Sequence, residues 1–264
     1  MAYLVAAAQI KPKKADYHHN LKRIGQIFAQ INSAIPRPEV LVLPETTLSG
    51  YFLEGGVREV ARTRDELFHD LLEEYRKNST LSESVLDIVV GFYELHEGKY
   101  YNSALYATLA TEDAGIQPGI IHVHHKVFLP TYGVFDEKRV FDAGPMPGPI
   151  VVRGVRIGLP ICEDIWGEDV VECLAETGAE ILLVPNGSPY FRGKGDVRLN
   201  VAVARVTETR LPLVYLNQVG GQDELVFDGN SMVLGPDGEV LARGASMAED
   251  LVVVDIPVGQ VIQR

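Results

Sequence analysis

The feature that most constrains this chain is its cadence of short apolar runs. Ten recur: 3–10 (YLVAAAQI), 40–43 (VLVL), 85–92 (VLDIVVGF), 103–110 (SALYATLA), 119–123 (GIIHV), 155–161 (VRIGLPI), 180–185 (EILLVP), 211–217 (LPLVYLN), 231–235 (SMVLG) and 250–256 (DLVVVDI). Many are rich in β-branched residues, which is the pattern of sheet strands. Segments of helical period separate several of them. Asp16 is placed to cap a helix reaching about Ser33, with Leu21, Ile24, Phe28 and Ile31 on one face. Asp65 is expected to open a second helix over 66–78, and 168–177 and 196–209 give two more. Strands alternating with helices, followed by a strand-rich end, specify an α/β layered fold. No long polar linker, repeat or low-complexity tract appears, so residues 1–264 are expected to form one domain. The stretch 131–150 reads as irregular, and loops that long in a compact domain are usually functional.

Charge and cysteine content narrow the class. A net charge of −12 argues against nucleic acid or an anionic membrane as partner. No apolar run approaches the roughly 18 residues of a membrane span. The first twenty residues lack the basic head of a signal peptide. Two cysteines form no disulfide framework, so a cytoplasmic protein with free thiols is expected.

Three runs lead into a reactive side chain: VLVLPET into Glu45, GIIHVHHKVFLP into Lys126, and VRIGLPICED into Cys162. Ligand sites of α/β sheets lie beyond the carboxyl ends of strands. A thiol there can attack a carbonyl carbon. A glutamate can take the thiol proton, give it to a leaving amine and then activate water. A lysine ammonium and a backbone N–H opening a helix after the cysteine can hold the oxyanion. Each residue has a plainer alternative. A buried cysteine is more often a packing residue, Glu45 can simply begin a loop, and Lys126 can be solvated. Cys162 is also followed by Glu163, Asp164 and Glu168, and acids raise a thiol's pKa.

The segments LVLPETTLSGY, HHKVFLPTYGVFDEKRVF and GLPICEDIW resemble, in order and spacing, the three signature segments of the nitrilase (carbon–nitrogen hydrolase) superfamily. LLVPNGSPY, RVTETRLPLVYLNQVGG and FDGNSMVLGPDGEVLA resemble its downstream blocks, so the likeness covers nearly the whole chain. NQVGGQDELVFDGNSMV is most similar to the glutaminase branch linked to glutamine-dependent NAD synthesis.

The resemblance implies a four-layer αββα sandwich that often pairs as a homodimer. It implies Glu45, Lys126 and Cys162 as catalytic residues, with Glu137 setting the charge and geometry around the lysine. Tyr51, Tyr132, Glu163, Trp166 and Ser188 match positions expected near the substrate; apart from the resemblance, Arg192 and Lys194 could each reach a substrate carboxylate or equally be solvated. L-Glutamine is the implied substrate, giving glutamate and ammonia without a cofactor or metal. His122 and His124 would share a strand face, but no third ligand stands out beside them. Cys173 reads as a packing residue. The pyrophosphate loop of an ATP-dependent synthetase is absent from the sequence. The expected alternatives are therefore a glutaminase subunit serving a separate synthetase, an excised domain, an amidase of ω-amidase or N-carbamoyl amidohydrolase type, or a non-catalytic docking subunit.

Overall fold

The computed structural model describes residues 2–52, 56–133 and 135–259. The first half runs β1 (Ala2–Gln9), α1 (Tyr17–Asn32), β2 (Val40–Val42), α2 (Val57–Val60), α3 (Arg64–Asn78), β3 (Val85–His96), β4 (Lys99–Ala110) and β5 (Gly119–His125). The second runs β6 (Ile150–Val152), β7 (Val155–Gly158), α4 (Asp169–Glu176), β8 (Ile181–Asn186), α5 (Lys194–Thr209), β9 (Leu213–Asn217), β10 (Val219–Gln222), β11 (Leu225–Asp228), β12 (Met232–Leu234), β13 (Val240–Arg243) and β14 (Asp250–Pro257).

Two six-stranded sheets result, ordered β14-β1-β2-β3-β4-β5 and β6-β7-β8-β9-β12-β13. In each, three neighbouring strands are parallel, one antiparallel strand flanks them on one side and two on the other. The two halves thus repeat one topology that the sequence does not show as a repeat. A two-stranded ribbon, β10-β11, stands apart.

Alternation along β1 explains the layering. Tyr3, Val5 and Ala7 pack into the core between the sheets, while Ala6 and Ala8 pack toward α1 and α3. A strand buried on both faces reads as a continuous apolar run rather than an alternating one. A third core joins the second sheet to α4 and α5. The layers are therefore helix, sheet, sheet, helix: the expected four-layer αββα sandwich.

The expected helices form, with shifted ends. Asp16 caps α1, its carboxylate accepting from the His19 N–H at 3.1 Å. Ile24, Phe28 and Ile31 face inward, with Leu21 packed at the edge of the same core. Thr63, not Asp65, caps α3. Thr63 and Glu66 bond each other's backbone N–H groups, and Asp65 lies in the first turn, where a carboxylate favours the helix dipole. β3 and β4 extend past their apolar runs to meet at Glu97 and Gly98, both at positive φ, in a tight hairpin. In 131–150 the described residues hold only one 3-10 turn, Glu137–Arg139, before β6 begins at Ile150.

No helix among the described residues is long and apolar enough to cross a membrane.

Candidate active site

Glu45 lies just past β2, Lys126 follows β5, and Cys162 follows β7 by a short link. Strand directions bring all three ends to one edge of the sandwich. There the Glu45 N–H donates to the Asn186 carbonyl at 3.3 Å, tying the first sheet's loop to the end of β8. Gly91 is required for this course. A Cβ there would overlap the Glu45 carbonyl oxygen.

One cavity is lined by Glu45, Tyr51, Lys126, Tyr132, Glu137, Cys162, Glu163, Trp166 and Ser188, the nine residues singled out in the sequence. Lys194 also borders it, whereas Arg192 is exposed. A wider surface groove between α4, α5 and Pro257 brings together no cysteine, serine, lysine or histidine among its described residues.

At the centre is a buried ammonium between two buried carboxylates. Lys126 Nζ donates to Glu45 Oε1 at 2.8 Å and to Glu137 Oε1 at 2.9 Å. The second donor to Glu45 Oε1 is Asn102 Nδ2, at 2.7 Å. The second donor to Glu137 Oε1 is the Tyr51 hydroxyl, at 2.8 Å. Both Oε2 atoms are buried without a protein partner. Burial opposes the charge on Lys126, but Glu137 and Glu45 outweigh it and hold the ammonium well above the ordinary lysine value. Burial lifts Glu137 to about 7, with Lys126 opposing and Glu45 adding to the rise.

Cys162 has φ of 43°, the left-handed region that a side chain rarely adopts. This turn aims the thiol into the cavity. Burial raises the thiol well above its usual pKa and Glu45 adds to the rise, while Lys126 and the Gly187 N–H lower it. A thiol in this setting favours its protonated form and would need a base to act as a nucleophile.

Of the acids that follow Cys162, only Glu163 joins the cavity, where it accepts from the Tyr132 hydroxyl at 2.8 Å. Glu168 is exposed and lies 3.7 Å from Arg205. Asp164 is buried and turned away. Its Oδ1 accepts from the N–H groups of Val127 at 3.0 Å and Phe128 at 2.9 Å. Its Oδ2 accepts from Ile161 N–H at 2.9 Å and meets His124 Nε2 at 3.0 Å. One carboxylate therefore clamps the turn before Cys162 to the segment around Lys126.

One expectation needs correcting. No α-helix opens at the cysteine. A single 3-10 turn, Cys162–Ile165, follows it and α4 starts only at Asp169, so the next α-helix does not open at the thiol. His124 is committed to Asp164, and among the described residues no group of three or more His, Cys, Asp or Glu is placed to hold a metal. Cys173 is half-buried, its thiol donating to the Pro147 carbonyl at 3.5 Å. Ser188 is buried, its backbone bonded to Asn217 on β9 and to Arg198 on α5.

The sequence reading missed Asn102, the clamp by Asp164, and Gly187. The only signal for Asn102 was an amide just before the apolar run 103–110. Of the two basic residues offered for a substrate carboxylate, Lys194 is the one on the cavity. Its ammonium sits 4.1 Å from the Trp166 ring centroid and 4.8 Å from that of Phe191, and it is 9% exposed.

A four-layer αββα sandwich with a glutamate, a lysine and a cysteine gathered at one edge defines a class of enzymes that act on carbon–nitrogen bonds. The carbon–nitrogen hydrolase profile matches residues 4–264, and the chain belongs to that family. It is 41% identical over 224 residues to the glutamine-dependent NAD(+) synthetase of Rhodobacter capsulatus, covering 84% of this chain and 38% of that protein. The structure of glutamine-dependent NAD+ synthetase from Acinetobacter baumannii, in complex with ADP, superposes with a TM-score of 0.82 at 29% identity, covering 100% of this chain and 48% of that one. An amidase from Nesterenkonia sp. AN1, in a variant with acrylamide added at the active site cysteine, superposes with a TM-score of 0.76 at 26% identity, covering 97% and 93% of the two chains. The chain spans less than half the length of the curated relatives it matches.

Proposed function

We propose that this chain is a cysteine-dependent amide hydrolase that converts L-glutamine to glutamate and ammonia and supplies that ammonia to NAD synthesis. The observation that carries the reading is the joint placement of Cys162, Glu45 and Lys126 on one cavity, with the lysine bonded to the glutamate.

The chemistry follows from that placement. Glu45 takes the thiol proton as sulfur attacks the carboxamide carbon. Lys126, held charged by its two carboxylates, stabilises the oxyanion. The tetrahedral adduct collapses, the carbon–nitrogen bond breaks, and the proton on Glu45 leaves with ammonia. Glu45 then removes a proton from water, which attacks the thioester. Release of glutamate returns the thiol its proton. Glu137 supports Lys126 rather than touching substrate.

Glutamine also presents an α-ammonium and an α-carboxylate. Glu163 offers the negative charge for the first, and Lys194, half held over Trp166, the positive charge for the second. Tyr51, Tyr132 and Ser188 shape the remaining walls. The same reading has the chain working in the cytoplasm as a homodimer, with an ATP-dependent synthetase as partner. A second reading, an amidase acting alone on another amide, is favoured by the likeness to the Nesterenkonia amidase along nearly the full length of both chains.

The test is ammonia release from L-glutamine against short aliphatic amides, ω-amides of dicarboxylic acids and N-carbamoyl amino acids. Preference for L-glutamine upholds the first reading, and preference for another amide installs the second. No turnover of any amide removes both.

A further inference from the structure

Glu45 has two oxygens, and the structure treats them differently. Oε1 accepts from Lys126 at 2.8 Å and from Asn102 at 2.7 Å, which uses its acceptor capacity. Oε2 is buried and has no protein partner. It lies on the Gly187 side, 3.1 Å from where a Cβ on that glycine would stand. Gly187 and Cys162 line the same cavity, and the Gly187 backbone N–H is among the groups that lower the thiol pKa. The free oxygen of Glu45 is therefore the one beside Gly187, on the cavity that Cys162 also lines.

Asn102 produces this asymmetry from β4. It is 0% exposed, and its side chain reaches Glu45 while its carbonyl accepts the Lys126 N–H at 2.9 Å. One residue thus fixes both the carboxylate and the backbone of the lysine. An amide suits the task because it donates a hydrogen bond without donating a proton. It holds a carboxylate while leaving it basic, which a second cation would not do.

We propose that Asn102 is a positioning residue: it commits Oε1 of Glu45 to fixed hydrogen bonds and so presents Oε2 as the oxygen that takes the proton from Cys162. This rests on Glu45 and Cys162 acting as base and nucleophile. The ionisable groups that face Glu45 are Lys126 after β5, Glu137 in its 3-10 turn, Cys162 after β7, Tyr51 in the loop following β2, Tyr93 on β3 and Tyr215 on β9. None of them takes the place of Asn102 on Oε1 beyond the lysine already there.

Asn102→Asp keeps the size, removes the donor and sets a second carboxyl against Glu45. Two carboxyls sharing a site hold a proton to higher pH. The variant is therefore expected to lose about 100-fold in kcat with KM within about threefold, the mark of an interaction made in the transition state. Its acid limb is expected to move up by at least about one pH unit. Asn102→Ser, which keeps a short donor, is expected to recover part of kcat without that shift. It also serves as the working variant if the aspartate protein does not fold.

Iodoacetamide alkylation of Cys162 against pH, read by peptide mass in a Cys173→Ala background, reports the same base without turnover. An upward shift in Asn102→Asp, or slowed alkylation in Asn102→Ser with the wild-type melting temperature, supports the proposal. Alkylation profiles and kcat equal to wild type in both variants overturn it. If wild type hydrolyses no amide, the functional reading fails, and the alkylation profiles alone still decide the role of Asn102.

Discussion

At the residue scale, the proposed chemistry rests on a thiol that burial and Glu45 push above its ordinary pKa and on Glu45 as the base that would deprotonate it. Cys162→Ser is expected to lower amide turnover by at least about 1000-fold, because a hydroxyl is a far poorer nucleophile without stronger base help. Cys173→Ala should stay within about twofold of wild type, since its thiol meets only the Pro147 carbonyl. Ammonia release from both variants checks this pair. Glu137 yields a prediction with a definite sign. Burial lifts it from the ordinary 4.5 to about 7, so over that window the folded chain binds more protons than the unfolded one. Its contribution to stability is full below about 4.5 and is lost as pH rises through about 7. Glu137→Gln removes that dependence. Relative to the variant, wild type should lose stability across this window and level off above it, as thermal melts at several pH values would read. A constant difference would show that Glu137 is ionised throughout.

At the element scale, the site depends on links between segments that are far apart in sequence. Asp164 holds four groups from the turn before Cys162 and the end of β5 around Lys126. Asp164→Asn turns an N–H₂ toward donors that had an acceptor. Leaving buried donors unpaired costs about 3 kcal/mol. A melting temperature lower by roughly 5–10 °C, measured by calorimetry, is the expected result. An unchanged melting temperature would mean the clamp is dispensable. The elements least legible in the sequence are instructive. β6, β10, β11 and β13 have three or four residues each and were not foreseen. They are edge or ribbon strands too short to show a strand period of their own. The β3–β4 hairpin was likewise hidden, because Glu97 is not a residue type that advertises positive φ.

At the scale of the whole molecule, the β10–β11 ribbon connects the cavity with the outer surface. Gln222 Oε1 accepts the Tyr51 N–H at 2.8 Å, and the Val226 carbonyl accepts the Tyr190 N–H at 2.6 Å. Tyr190, Phe191 and Val226 are exposed beside it. A synthetase docking against this ribbon has a direct route to Tyr51 and, through its hydroxyl, to Glu137. Docking is expected to raise glutamine hydrolysis roughly 5–100-fold, the usual range of such coupling. Gln222→Ala should reduce that activation more than it reduces the basal rate. Rates with and without a cognate synthetase, beside a binding titration, check both statements. Binding without any change in rate would remove the route through Gln222.

What the sequence determined by itself was the sheet-and-helix alternation and nine of the residues that line the cavity. Both are carried by local signals: apolar runs, caps, and motif segments that keep reactive residues just past strands. What only the tertiary structure decided was how those residues meet. Asn102 bonds Glu45 across 57 positions, and Lys126 bonds it across 81. No local pattern encodes which oxygen is saturated, which of three acids turns away from a thiol, or which amide faces a base. Those outcomes depend on two sheets packing face to face, which sets hydrogen-bond partners by distance in space rather than along the chain.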